Sequence, residues 1–375
     1  MKRFFVCVVF ITIILSLSSC GNKNNPVTQE NNSAWSKVAQ INNVSYPKIY
    51  FLNKNVGFVT ANVFLASTIH LQTKILKQFS TNDTVYKIAE YSILNTDLDP
   101  TAHPLWKTTD GGHSWKPITG DFKSSIRDIY FVDEQTGFLV TDYEGVFKTL
   151  DGGETWSQIF SSYIEIFITD KGMGSFAYPK EVCFYDKDHG FIYTEGSLQN
   201  LYLFTNDGGY NWDFKYVPLR GENYIFPEKG KKIGYAEKNS VMLAKTMDGG
   251  LTWNKIAELS TANDVFSFVD DNNGVYLKNK QLFRTTDGGI NFTNIHDFGS
   301  DYQWKCRTAN ILYNYTNGCY FVIGDIIGLS VDGCKTITDM SAPKTAYMDI
   351  AFPNEKIGYA INSEGEIFKY NTGVK

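Results

Sequence analysis

An eight-residue pattern returns along this chain and limits what it can fold into. Thr108-Thr109-Asp110-Gly111-Gly112-His113-Ser114-Trp115 recurs as Thr149 to Trp156, Thr205 to Trp212, Thr246 to Trp253 and Thr285 to Phe292. A degenerate copy spans Ser330 to Ile337, around Asp332. Each copy reads as a tight hairpin turn. The Asp carboxylate can accept turn N–H groups, the Gly pair supplies positive φ, and the closing aromatic can pack between units. A fixed turn spaced along the chain implies a repeat architecture. The aspartates Asp110, Asp151, Asp207, Asp248, Asp287 and Asp332 are therefore expected to be structural.

A second motif precedes each turn and sets the number of units. An apolar strand ends in an aromatic, a polar turn comes next, and Gly opens the following strand. Phe51 to Gly57, Phe131 to Gly137, Phe184 to Gly190, Phe268 to Gly274 and Phe352 to Gly358 share this step. Phe226 to Gly234 is longer and Tyr313 to Gly318 shorter, which makes seven units. The sequence between that Gly and the following Asp is long enough for two more strands. The expectation is an all-β, seven-bladed β-propeller of four-stranded antiparallel blades. The last unit stops before any tryptophan, whereas Trp35-Ser36-Lys37-Val38 matches the segments that close the other turns. The N-terminal strand is thus expected to complete the last blade and hide its edge.

The turn motif resembles the Asp-box, or BNR repeat, of sialidase-type propellers. The unit as a whole, as in Asp128 to Phe138 followed by Phe147-Lys148-Thr149, resembles the photosystem II assembly-factor-like propellers. That resemblance covers roughly residues 35–375. It implies a non-enzymatic scaffold or assembly role for membrane-protein complexes. Nothing in the residues indicates photosynthesis.

The N-terminus carries an address. Met1-Lys2-Arg3 is basic, Phe4 to Leu15 is apolar apart from Thr12, and Leu17-Ser18-Ser19-Cys20 looks like a bacterial lipobox. The apolar run is too short to span a bilayer comfortably, so residues 1–20 read as a lipoprotein signal peptide ending at Cys20. Residues 21–33 are polar and Asn-rich and read as a flexible tether. Residues 34–375 form one propeller domain. A lipid anchor in the cell envelope, in the outer membrane, is the expected location.

Removing Lys2 and Arg3 leaves 33 basic against 40 acidic side chains, a balance of −7 that argues against nucleic acid as a partner. Cys306, Cys319 and Cys334 could contribute one disulfide of unassigned pairing, with Cys183 apart. No Cys-x-x-Cys pair accompanies the five scattered histidines, so no metal and no cofactor is expected.

Function is sought where the repeat is broken. An insertion of about residues 61–104 in blade one shows weak helical periodicity over Ile69–Tyr91. Long connections over Ser161–Lys180 and His296–Asn310 bring Tyr178 and Lys180, and Tyr302 and Trp304, to the same face. Arg127, Arg220 and Arg307 precede innermost strands and are expected to rim the channel on that face, where Arg can capture carboxylates or phosphates. Arg284 shares a position with Lys107, Lys148 and Lys245 and reads as a solvated strand residue. These residues make a candidate surface for a protein or glycan partner. The alternative is a sialidase-like glycoside hydrolase with an arginine clamp. It needs a Tyr nucleophile, a Glu partner and an acid/base Asp, and candidates such as Tyr224, Tyr347 and Glu181 have no diagnostic spacing.

Overall fold

The computed structural model describes residues 34–371, apart from 63–70, 82–83, 94–103, 121–123, 143–144, 161–162, 169–172, 197–200, 216–220, 229, 239–241, 259–264, 279–280, 298–308, 314–318, 324–325, 331–335, 337 and 355. The expectations at Cys20, Arg220, Tyr302, Trp304, Cys306, Arg307, Asp332 and Cys334 lie outside these residues. The described strands make seven sheets. Six are four-stranded and antiparallel, and the other has seven strands.

Sheet two shows the common plan. Ile126–Phe131, Gly137–Thr141, Val146–Thr149 and Ser157–Phe160 pair in chain order from the innermost strand outward. Two turns close it on one side. In the first, Asp133 accepts the N–H groups of Gln135 and Thr136. In the second, Asp151 accepts N–H bonds from Glu154 and Thr155 and hydroxyl bonds from Thr149 and Thr155. Gly152 and Gly153 sit at φ +70° and +85°, where a side chain would be strained. The Gly152 N–H donates to the Gln135 carbonyl at 2.9 Å, so both turns share one face. The remaining connections leave from the opposite, loop-bearing face.

One register joins successive sheets. At four junctions the aromatic ending an innermost strand stacks on the aromatic that follows Gly in the preceding sheet, and at a fifth Phe226 meets Phe191 edge-on. Phe138 lies 3.8 Å from Phe184 and Tyr235 3.4 Å from Phe268 between ring centres. Between the seventh sheet and the first, Tyr359 and Phe51 are 3.6 Å apart. Such pairs contribute about 0.5–1.5 kcal/mol each beyond their burial. Gly137 is required by this packing, since a Cβ there would lie 2.6 Å from the Phe131 ring.

Arg284 reads as a solvated strand residue, and the structure corrects this. Lys107 and Lys148 are buried and Arg284 is half-buried. The Lys148 ammonium donates to the Gly208 carbonyl at 2.8 Å, Lys245 to Gly288 at 2.9 Å and Lys369 to Gly111 at 2.9 Å. Each tie reaches the turn of the next sheet. Their reason is tertiary: the lysine stem crosses an aromatic face of its own sheet, as Lys369 crosses Tyr359.

The N-terminal strand Trp35–Gln40 pairs antiparallel with Glu366–Asn371 and forms the outer strand of the last sheet. Trp35 is buried against Phe352 and Tyr370.

The described residues of the insertion are not helical. Leu71–Thr81 and Thr84–Ile93 form a β-hairpin, and Thr84–Ile93 pairs with Tyr163–Ile168. That strand in turn pairs with the beginning of Met173–Phe184, the innermost strand of sheet three. Two stretches distant in sequence thus build the seven-stranded sheet. Val85, Tyr91, Tyr163 and Ile166 suit extended backbone, and strand pairing overrode the apparent helical spacing.

Candidate functional site

The innermost strands carry polar residues toward the loop-bearing side because their other residues are committed to the stacks between sheets. Counting back three residues from the closing aromatic gives Lys48, Asp128, Glu181 and Asp349 in sheets one, two, three and seven. Three of these reach the next sheet's backbone. Asp349 accepts from Ile49 N–H at 3.0 Å, Asp128 from Val182 N–H at 3.1 Å and Glu181 from Tyr224 N–H at 3.3 Å. Lys48 has no carboxylate and donates instead to the Arg127 carbonyl at 3.4 Å. Buried N–H groups left unmade cost the fold, so these acids join sheets as well as line a cavity.

The cavity has a volume of about 500 Å³, within the range of small-ligand sites. Lys48, Arg127, Lys180, Asp128, Glu181 and Tyr224 give it chemical character. Thr60 and Asn62, at the end of strand Gly57–Asn62, place it on the loop-bearing side. Of the surface expected from sequence, Arg127 and Lys180 both line it. Tyr178 lies within strand Met173–Phe184, three residues before Glu181.

Charges in and beside the cavity are already partly matched. Arg127 forms an ion pair with Asp142, and Lys180 lies 3.3 Å from Glu195. Burial pushes the Asp142 carboxyl up, against the pull of Arg127. Burial also raises Asp128 above the usual carboxylate range, with Lys48 and two backbone N–H groups working the other way. Burial raises Tyr50 to about 12, with Asp128 adding to the rise.

These tyrosines are holders rather than ionised groups. The Tyr130 hydroxyl donates to the Phe184 carbonyl at 2.7 Å. The Tyr224 and Tyr202 hydroxyls are hydrogen-bonded to each other, and burial drives Tyr224 well above its ordinary value. Tyr347 is buried, with its hydroxyl on the Pro343 carbonyl at 2.5 Å. An ionised Tyr nucleophile is disfavoured in such surroundings. Among the described residues no three His, Cys, Asp or Glu side chains are placed to hold a metal. Cys183 is buried, and burial pushes its thiol up.

Lys48 and Asp128 carry the cavity's chemistry but were not selected from sequence. The signal was present: both stand three residues before the aromatic of the second motif, facing inward by strand alternation.

No family model matches the chain. It is 24% identical over 276 residues, covering 71% of this chain and 78% of the relative, to the photosystem II assembly lipoprotein Ycf48 of Synechococcus sp. (strain CC9902). Among solved structures it is similar to YCF48 bound to D1 peptide, with a TM-score of 0.58 at 15% identity over 91% of this chain and 98% of that one. YCF48 from Cyanidioschyzon merolae gives a TM-score of 0.58 at 14% identity over 90% and 98%. The fold is an all-β propeller. Its four-stranded antiparallel sheets are the blades, and the cavity lies at their inner strands.

Proposed function

We propose that this chain is a non-enzymatic, lipid-anchored envelope protein that binds a protein partner through the loop-bearing face of a seven-bladed propeller. The seven-stranded sheet counts as blade three with an extension. Strand Trp35–Gln40 completes the last blade and closes the ring. The repeated turns are Asp-boxes with a structural role, and Cys20 is the lipid attachment point in the outer membrane.

One observation carries the binding reading. The hairpin Leu71–Ile93 and the strand Tyr163–Ile168 come from different blades, yet they meet in one sheet on the side that holds the cavity. A repeat fold does not need such an extension to close. The likeness to Ycf48 supports a protein rather than a glycan as the partner, since one solved relative is bound to a peptide. The cavity's mixture of Lys48, Arg127 and Lys180 with hydrogen-bonding tyrosines suits a polar, carboxylate-bearing peptide segment. The hydrolase alternative has less support, because Tyr130 and Tyr224 in the cavity are held neutral by burial and both are hydrogen-bonded.

The test is envelope crosslinking and pull-down with the full chain, against a variant in which residues 65–100 are replaced by a short turn. The variant is checked for fold by circular dichroism. A partner captured by the native chain and lost in the variant supports the reading. Equal capture by both overturns the role of the extension.

A further inference from the structure

The turn face carries a feature that the cavity does not use and that the repeat uses at one point, where the Lys148 ammonium lies 4.7 Å from the centre of the Tyr210 ring. Leu150, Tyr210, Met247, Leu251 and Ile290 are exposed there, Met247 and Ile290 at 69% and 80%. Each stands beside the Gly pair of a repeated turn, at sites that hold Thr109 and His113 in sheet one. Sheets two to five therefore each present at least one apolar tip in a single arc. Among the described residues, the one other large apolar side chain this exposed is Tyr46, at the cavity.

The chain enters the propeller at this same face. Trp35 pairs with Tyr370, which pairs with Gly358, the residue leaving a turn of the last sheet. The strand then runs away from that face to Gln40, and Ile41 bonds the Gly365 carbonyl on the opposite side. Strand Trp35–Gln40 thus begins on the side where the apolar tips stand. On the tether reading, the 13 residues after Cys20 have a mean reach of about 20 Å, which keeps this face near whatever holds the cysteine.

We infer that the turn face lies against the bilayer surface, with Leu150, Tyr210, Met247, Leu251 and Ile290 seated at the headgroup boundary. The inference rests on the anchor reading of Cys20. The tips are separate, one blade apart, with hydrogen-bonded Asp-Gly turns behind them. A protein interface needs a contiguous, closely packed apolar centre. A bilayer boundary accepts isolated apolar tips, which would orient a domain that the anchor at Cys20 already holds at the surface. The cavity and the seven-stranded sheet then face away from the membrane, toward partners.

The experiment uses the full chain produced in the envelope and placed in phosphatidylethanolamine/phosphatidylglycerol vesicles. Acylation of Cys20 is first read by mass spectrometry of the mature N-terminal peptide. An environment-sensitive thiol dye is then placed at Ile290→Cys, with Met247→Cys as a second site and the parent chain as blank. Glu364→Cys, in an exposed turn on the opposite face, is the control. Expected is a blue shift and quenching by brominated lipid at 290 and 247, with neither at 364. An acylated chain whose dye stays in water at both turn sites overturns the orientation and leaves the anchor standing. A Cys20 without lipid overturns the anchor reading itself. A blue shift that follows protein concentration, without quenching by brominated lipid, assigns the arc to a second copy and overturns the bilayer.

Discussion

The two faces of this propeller are built from the same strands and obey different rules. On the turn face the elements repeat: an Asp or Asn at the first turn in sheets one, two, three, five and seven, and in sheets one to five the Thr-x-Asp-Gly-Gly at the second with its backbone bond from Gly to the first turn. On the loop face few elements repeat. One connection is the short link between Thr141 and Val146, another is the hairpin Leu71–Ile93, and a third contains Tyr163–Ile168. Stability requires every blade to meet its neighbours in one register, which fixes one face. The other face is free to diverge. Recognition accumulates where the packing code is silent.

The contrast is broken most severely at the seam. Trp35→Ala removes a buried indole from between Phe352 and Tyr370 and should cost about 3–5 kcal/mol in urea unfolding. A change within error would show that the N-terminal strand does not close the ring. Gly137→Ala places a methyl group 2.6 Å from the Phe131 ring and should cost about 1–3 kcal/mol by overpacking. An unaffected unfolding midpoint would mean that the ring has room to move.

Asp151→Ala should cost about 1–2 kcal/mol, since it removes the carboxylate's bonds to the N–H groups of Glu154 and Thr155 and to the hydroxyls of Thr149 and Thr155. The same turn gives a pH signature. Despite some desolvation, hydrogen bonds from Thr155, Thr149 and Glu154 hold Asp151 down from an ordinary 3.8 to about 2. Asp110 is held at about 2 by the equivalent bonds, against the same desolvation. Their folded values lie below the unfolded ones. The stability they add is therefore complete above the unfolded value and is lost as pH falls from about 4 toward 2. Asp128 has the opposite sign: burial raises its folded value, so that carboxyl favours the fold more as pH falls. Acid unfolding should accordingly track the turn face, and Asp151→Ala should flatten the acid limb of the Tm–pH curve. An identical limb in the variant would sink this assignment.

The smallest stability effect belongs to the loop face. Replacing residues 65–100 by a short turn should leave the unfolding midpoint of the propeller nearly unchanged while abolishing partner capture. A large loss of stability would make the extension part of the core and blur the distinction between the faces.

Much of the molecule was legible before any coordinates. The spacing from Phe to Gly and from Gly to Asp located the strands, because a turn that needs positive φ and a carboxylate acceptor leaves a fixed residue signature. The match between Trp35 and the other turn-closing aromatics located the strand that pairs with Glu366–Asn371. Arg127, at the start of an innermost strand, was placed on the side of the cavity, whereas Lys180, read as part of a connection, lies within strand Met173–Phe184.

The sequence by itself determined the repeat, since each turn is a local problem solved within a few residues. Only the tertiary structure decided what depends on contacts between blades. Arg284 reads as a solvated strand residue, yet it is half-buried, and Lys148 at the same repeat position reaches the neighbouring Gly208 carbonyl. Asp128 is not singled out by the sequence and Glu181 only as a possible Glu partner, and their place between sheets is set by the N–H groups of Val182 and Tyr224. Leu71–Thr81 and Thr84–Ile93 carry a weak helical pattern, and their strand state comes from Tyr163–Ile168, about seventy residues later. A hydrogen bond to a distant edge leaves no local periodicity. The parts of this chain that join blades and build its loop face were therefore settled by the fold rather than by pattern.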